Sequence, residues 1–326
     1  MARQAFLSSF REFLARARGD RRARLGLVGA VALLGLLEVG FHVHFSRAAP
    51  SLDEWSSLKP LVTELARPGT LIVVAPEWSE PNARFALGSG LMPLGHVARP
   101  DAEAFEQALE ISILGEGAPE LRGWNLTGER ASGKFALRSW ANPSPARVGF
   151  DFLAHVLPRH LRVQLERAGA SPEACAYGTQ KVTNGELAGH PTFPRKRFQC
   201  PGGEWSFVGV TVIEDQNYRP RQCIWAHPST RATLSLHFDD VPIGSSIVGY
   251  GALPYFFERE WHGAPVELEV LVGGQSMGSW THSDGEGWKR FEFATAALSG
   301  QRLPVDFRVR ARAARDRQFC FQASVR

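Results

Sequence analysis

The residues of this 326-residue chain best suited to chemistry are flat aromatic rings standing beside imidazoles and phenols. Trp225 with His227, Tyr250 with Tyr255, and Trp261 with His262 fall near the ends of apolar runs in the C-terminal half. Loops converge at strand ends while the strands supply rigidity. Such rings stack on the apolar faces of sugars, and nearby polar groups read the hydroxyls. These six residues are the candidate ligand site. A core role competes for each, because sandwich interiors are also built from aromatics. Their polar neighbours make Trp225 and Trp261 the two rings expected to face a ligand.

Acidic pairs are the second chemical feature. Glu214, Asp215 and Asn217 follow a strand and could hold a structural Ca2+ through oxygen ligands, although their spacing is not that of an EF-hand loop. No other cofactor is expected. Asp239 with Asp240, and Glu258 with Glu260, offer carboxylates of the kind a glycoside hydrolase sets about 5–10 Å apart across a cleft. Loop-end acids more often cap turns, so no catalytic residue is assigned.

Two motif matches fail. Gly274 to Gly278 fits GxSxG, but a strand follows it instead of a helix, and no acid lies between Ser276 and the only later histidine, His282. Gly128 to Phe135 approaches a phosphate-binding loop, yet Phe135 occupies the position that needs Ser or Thr.

The four cysteines, Cys175, Cys200, Cys223 and Cys320, contain no CxxC, and an even count in an exported region implies two disulfides. Three pairings are open. Cys175–Cys200 with Cys223–Cys320 is preferred, because sandwich folds often set their first and last strands side by side.

Export is indicated by the N-terminus. Seven arginines against Glu12 and Asp20 give residues 1–24 a charge of +5, which leaves the remainder at −1 of a total of +4. A nucleic-acid binder needs its basic surface on the folded domain, so nucleic acid is excluded as a partner. Residues 25–45 then form an apolar run broken only by Glu38, long enough as a helix to cross a bilayer core of roughly 30 Å. The arginine asymmetry predicts a single pass through the inner membrane, with a cytoplasmic N-terminus and a periplasmic bulk. Phe6, Phe10, Phe13 and Leu14 recur at helical spacing among the arginines, as in a helix lying on the inner leaflet. A cleaved signal ending near Ser46-Arg47-Ala48 is the alternative. Glu38 leaves room for another membrane protein as a partner through the helix.

The expected organisation is a cytoplasmic tail (1–24), a signal-anchor (25–45), a small α/β domain (46–145) and a disulfide-bearing β-sandwich (146–326, with its core at about 200–326). The fold class is therefore α+β, with an N-terminal transmembrane helix and a C-terminal antiparallel jelly roll. In the middle part, a helix over 46–70 ends at Pro68-Gly69, and Leu71 to Ala75 forms a buried strand. Asp101 caps a second helix carrying Phe105, Ala108 and Leu109, strand 111–114 follows, and strand 134–140 closes the unit. Beyond residue 200 the period is two, as in Val266, Leu268, Val270 and Val272, or Val305, Phe307 and Val309.

The run 266–300, VELEVLVGGQSMGSWTHSDGEGWKRFEFATAALSG, followed by PVDFRVRAR, resembles the galactose-binding-like, discoidin-type sandwich used by many carbohydrate-binding modules. The resemblance implies a fold and no particular ligand residue. The middle part resembles in outline the extracytoplasmic segments of lipid-linked-sugar glycosyltransferases, but the chain lacks their many spans, so no activity carries over. The expected function is a membrane-tethered, non-catalytic module that binds cell-envelope glycan or assists a glycan-assembling complex. The alternatives are an envelope hydrolase using the acids of the β region and a structural partner of another membrane protein.

Overall fold

A helix, α1 (Arg21–Ala48), opens the computed structural model, which describes residues 21–99, 101–180, 193–259 and 263–326. The basic tail before residue 21 lies outside the described residues. Along α1 apolar side chains point outward: Leu33 is 59% exposed, Leu36 70% and Phe41 62%. Among the described residues no helix is long and apolar enough to cross a membrane.

Two short helices follow, α2 (Leu52–Ser57) and α3 (Lys59–Leu65). The first is started by a capping box in which the Ser51 hydroxyl accepts from Glu54 N and the Glu54 carboxylate accepts from Ser51 N. They bury Trp55, Leu58 and Val62 against a mixed sheet of β1 (Leu71–Ala75), β2 (Gln107–Ile113), β3 (Asn125–Ser132) and β4 (Phe135–Ala141). The order is β1-β2-β4-β3, with β1 and β2 parallel and the rest antiparallel.

The helix expected from Asp101 is not formed. Ala102–Ala104 makes one 3-10 turn, and β2 begins at Gln107. From Ala108 to Ile113 every side chain of β2 is buried, so both faces must be covered, which a central strand allows and an edge helix does not. The Asp101 carboxylate pairs with Arg326 instead of capping a backbone. The stretch once matched to a phosphate loop is the β3–β4 hairpin, turning at Gly133.

The sandwich starts well before residue 200. One sheet holds β5 (Phe150–Asp151), β8 (Ala176–Thr179), β9 (Lys196–Gln199), β10 (Phe207–Glu214), β11 (Pro220–Ala226), β13 (Ser246–Ala252), β16 (Lys289–Ala294) and β18 (Cys320–Val325). The other holds β6 (Leu161–Glu166), β7 (Glu173–Ala174), β12 (Thr233–Pro242), β14 (Val266–Val272), β15 (Gln275–His282) and β17 (Arg302–Ala311). Their orders are β16-β13-β18-β11-β10-β9-β8, with β5 on β18, and β15-β14-β17-β12-β6-β7. Alternate residues of the strands, such as Leu234, Leu236 and Phe238 on β12 and Val309, Phe307 and Val305 opposite them on its sheet neighbour β17, fill the layer between the sheets. The GxSxG match is the β14–β15 hairpin, with Gly273 and Gly274 at φ +57° and +82° as a tight two-residue turn requires.

Both expected disulfides are present, Cys175–Cys200 and Cys223–Cys320. The sandwich meets the mixed sheet through polar contacts. Gln222 N donates to the Ala98 carbonyl at 3.0 Å, Arg99 pairs with Asp151, and Arg326 reaches Glu103 at 3.0 Å as well as Asp101.

Candidate ligand-binding site

The turn between β10 and β11 is built around Asp215. Its Oδ1 accepts from Asn217 N at 2.8 Å and Arg219 N at 3.0 Å, and its Oδ2 takes the Arg221 guanidinium at 2.8 Å. Both oxygens are therefore committed to protein donors, and the carboxylate is buried. A Ca2+ ion held by Glu214, Asp215 and Asn217, as the sequence allows, would therefore have to displace these protein donors from Asp215. Asp215 is a turn-builder, of the kind short carboxylates make with their own backbone.

What the turn presents is Tyr218. Its φ of +60° lies in the left-handed region that non-glycine residues rarely occupy, and its side chain is 67% exposed. The ring lies 4.4 Å from that of Tyr255, inclined at 51°. Tyr255 opens the one-turn helix α6 (Tyr255–Glu258, the sixth after Glu80–Leu87 and Leu94–Val97). Phe256 beside it is 53% exposed, and the Arg259 guanidinium sits 5.2 Å above the Tyr255 ring. A hydrogen bond with Tyr255 holds the Tyr218 phenol above its ordinary pKa.

Beneath this platform the two loops are tied together. Glu258 is buried, and its Oε1 meets His282 Nε2 at 2.5 Å and accepts from Leu253 N at 3.1 Å. Its Oε2 accepts from Gly285 N at 2.6 Å and from the Gln216 amide at 3.4 Å, in the same turn as Tyr218. One carboxylate thus fixes both ring-bearing loops.

Of the four sequence candidates among the described residues, Tyr255 alone joins this platform. Trp225 is a correction: it is fully buried. It stacks on Phe207 with centroids 5.3 Å apart, and its Nε1 donates to the Trp205 carbonyl at 3.1 Å. Its side chain leaves the sheet on the face away from the inter-sheet layer, but Phe193 and Trp205 roof that face and make a second small core with the Cys223–Cys320 bridge. Tyr250 is half-buried on β13 itself, not on a loop, and burial pushes its phenol up. His227 lies at the far end of β11, where burial holds its imidazole below the ordinary value and Nδ1 meets the Arg317 carbonyl at 3.0 Å. Trp261 and His262 lie outside the described residues. Tyr218 was not among the candidates. Its signal was the strand-ending run Asp215 to Tyr218, a turn composition that exposes whatever ring it carries.

The remaining acids are engaged one by one. Asp240 takes Arg302 through both oxygens at 2.8 Å, and Asp239 takes Arg162 at 2.9 Å and His237 at 3.2 Å. Glu260, the proposed companion of Glu258, lies outside the described residues. A separate cavity of about 100 Å3 lies between the mixed sheet and the sandwich. Burial raises Glu80 and Glu120 there and lowers Arg219 to about 10. At that size it admits water and is well below the roughly 300 Å3 of small-molecule sites.

No family model matches the chain, and no curated protein does. Among solved structures it is similar to carbohydrate-binding modules of Clostridium perfringens. The CBM51-2 and INT domains of ZmpB align with TM-score 0.26 and 9% identity over 36% of this chain and 26% of that one. The CBM51 of GH95 in complex with methyl-galactose gives 0.24 and 8% over 36% and 77%. The ZmpB CBM51-2 in complex with GlcNAc, with its INT domain, gives 0.28 and 7% over 62% and 40%. The likeness is distant. This chain spans about a quarter of the first of these, and at such TM-scores the similarity carries no argument about what this chain binds.

Proposed function

We propose that this chain is a membrane-tethered, extracytoplasmic module that binds cell-envelope glycan on the Tyr218–Tyr255 platform without catalysing a reaction. The observation that carries the binding is the exposed Tyr218 ring, held in a left-handed backbone and paired with Tyr255 by a buried carboxylate network. Strained backbone with an exposed ring persists only where the surroundings over-determine it, as Asp215 and Glu258 do here, and such sites are commonly functional. Two phenol rings, the Arg259 guanidinium and the Gln216 amide supply a stacking face with hydroxyl-reading groups around it. The tether is supported by α1, whose outward apolar side chains need lipid or another helix to cover them, and by the arginines that precede it. The two disulfides support an oxidising compartment.

Two measurements test this. The full chain in neutral detergent is applied to an array of envelope glycans, and saturable binding to a restricted set is expected; binding to none contradicts the function. Separately, alkaline phosphatase and a fluorescent reporter that matures only in the cytoplasm are fused to the C-terminus. Phosphatase-positive, dark cells are expected, whereas fluorescent cells without phosphatase activity place the sandwich inside and remove the tether.

A further inference from the structure

At the other end of β11, two open depressions of about 640 Å3 and 450 Å3 share the loop Ser229, Thr230 and Arg231, and so run together as one groove. Its walls carry more positive charge than they neutralise. Arg310 is committed to Glu267 and Glu269, each at 3.1 Å, and Arg167 to Glu173 at 2.6 Å. The one other acid facing the groove, Glu166, lies 3.5 Å from Arg308. Arg231 and Arg312 are both exposed, and neither has a carboxylate within ion-pair distance among the described residues. At one end His227 lines the groove, with Nδ1 donating to the Arg317 carbonyl and Nε2 left as an acceptor. The Ser229 and Thr230 hydroxyls lie between. Among the described residues no Trp, Tyr or Phe lines either depression, and His227 is the one ring there, so stacking is not what the groove chiefly offers.

We propose that this groove is a second binding site, taking the carboxylate groups of an anionic, uronate-bearing glycan on Arg231 and Arg312. The proposal rests on the glycan-binding function above. The guanidinium fork matches a carboxylate in two parallel hydrogen bonds, which a neutral sugar cannot provide. The mixed donors and acceptors along the floor suit the hydroxyls of the same chain.

The test measures affinity of the full chain in neutral detergent for a galacturonate tetramer and for the neutral galactose tetramer, at low and high salt. The expected result is a preference for the galacturonate of about 3- to 30-fold, the range two exposed ion pairs supply. The preference should shrink at 0.5 M salt, where screening acts within roughly 4–5 Å. R231Q/R312Q should abolish it and leave affinity for the neutral tetramer and the melting temperature unchanged, while R231K/R312K should retain part of it. Equal affinity for both tetramers in the unmodified protein overturns the groove and leaves the platform standing. A preference that survives R231Q/R312Q also overturns it, as does capture by anionic phosphatidylglycerol vesicles that R231Q/R312Q weakens as much as it weakens galacturonate binding, which would assign the charge to lipid. Binding of neither tetramer nor any arrayed glycan overturns the glycan function itself, and the groove with it.

Discussion

Trp225→Ala is expected to destabilise the sandwich by about 3–5 kcal/mol, the cost of emptying a fully buried indole site. In a unit of this size each kcal/mol moves the melting temperature by about 2–4 °C, so the transition should fall by roughly 6–20 °C. Three features place the effect at the upper end. The ring has no exposed surface, it stacks on Phe207, and its Nε1 donates to the Trp205 carbonyl, which would keep only the bond from Phe207 N. The change also removes the floor on which Phe193 and Trp205 rest. Thermal unfolding followed by circular dichroism checks this. A transition within 1–2 °C of the unmodified protein would mean that the ring is a surface group and that the roof over it is not formed.

The second large effect concerns the Cys223–Cys320 bridge, which closes a separation of 97 residues. In the chain-entropy account a loop of about 100 residues restricts the unfolded state by roughly 4–5 kcal/mol, against about 3 for a loop near the 25 residues between Cys175 and Cys200. Both sulfurs are completely buried, and they join β11 to β18, which are neighbours in the sheet. Replacing both cysteines by Ala should therefore cost more than the same change at Cys175 and Cys200. The comparison is made by urea unfolding of the two double variants. Equal losses would show that loop closure does not govern the stabilisation, and free thiols in the alkylated, unreduced protein would contradict the pairing.

Legibility in the sequence followed burial on one face. Strands such as Val266–Val272 and Arg302–Ala311 alternate because one side is core and the other solvent, and that pattern was plain. Where both faces or neither are covered, the period vanishes. Ala108–Ile113 is buried throughout, so its first residues, Ala108 and Leu109, read as helix and only the part from Ile111 reads as a strand. Asn125–Ser132 is nearly all exposed, carries no apolar alternation, and gave no sign of a strand. The sandwich strands between Phe150 and Gln199 are short or edge-lying and were left outside the expected core.

The site divided along similar lines. An aromatic at a strand end could be recognised from sequence, but whether it faces water depends on tertiary cover. Trp225 is roofed by a segment about 20–30 residues upstream, which no local pattern reveals. Tyr218 is exposed because Asp215 folds its turn, and that follows from a carboxylate two to four residues from the amides it accepts. Tyr255 was legible as a ring near a strand end, but its partner was not. The pairing depends on Glu258 reaching Gln216 across 42 residues of chain.

The most direct test of the account is the affinity of Tyr218→Ala for the glycan the array identifies, measured by titration calorimetry beside its melting temperature. A stacking ring at an exposed site contributes about 1–2 kcal/mol, so the dissociation constant should rise about 5- to 30-fold. The melting temperature should hold nearly unchanged, since the ring packs no core and only its contact with Tyr255 is lost. Unchanged affinity at unchanged stability would contradict the account, because the exposed ring would then take no part in binding.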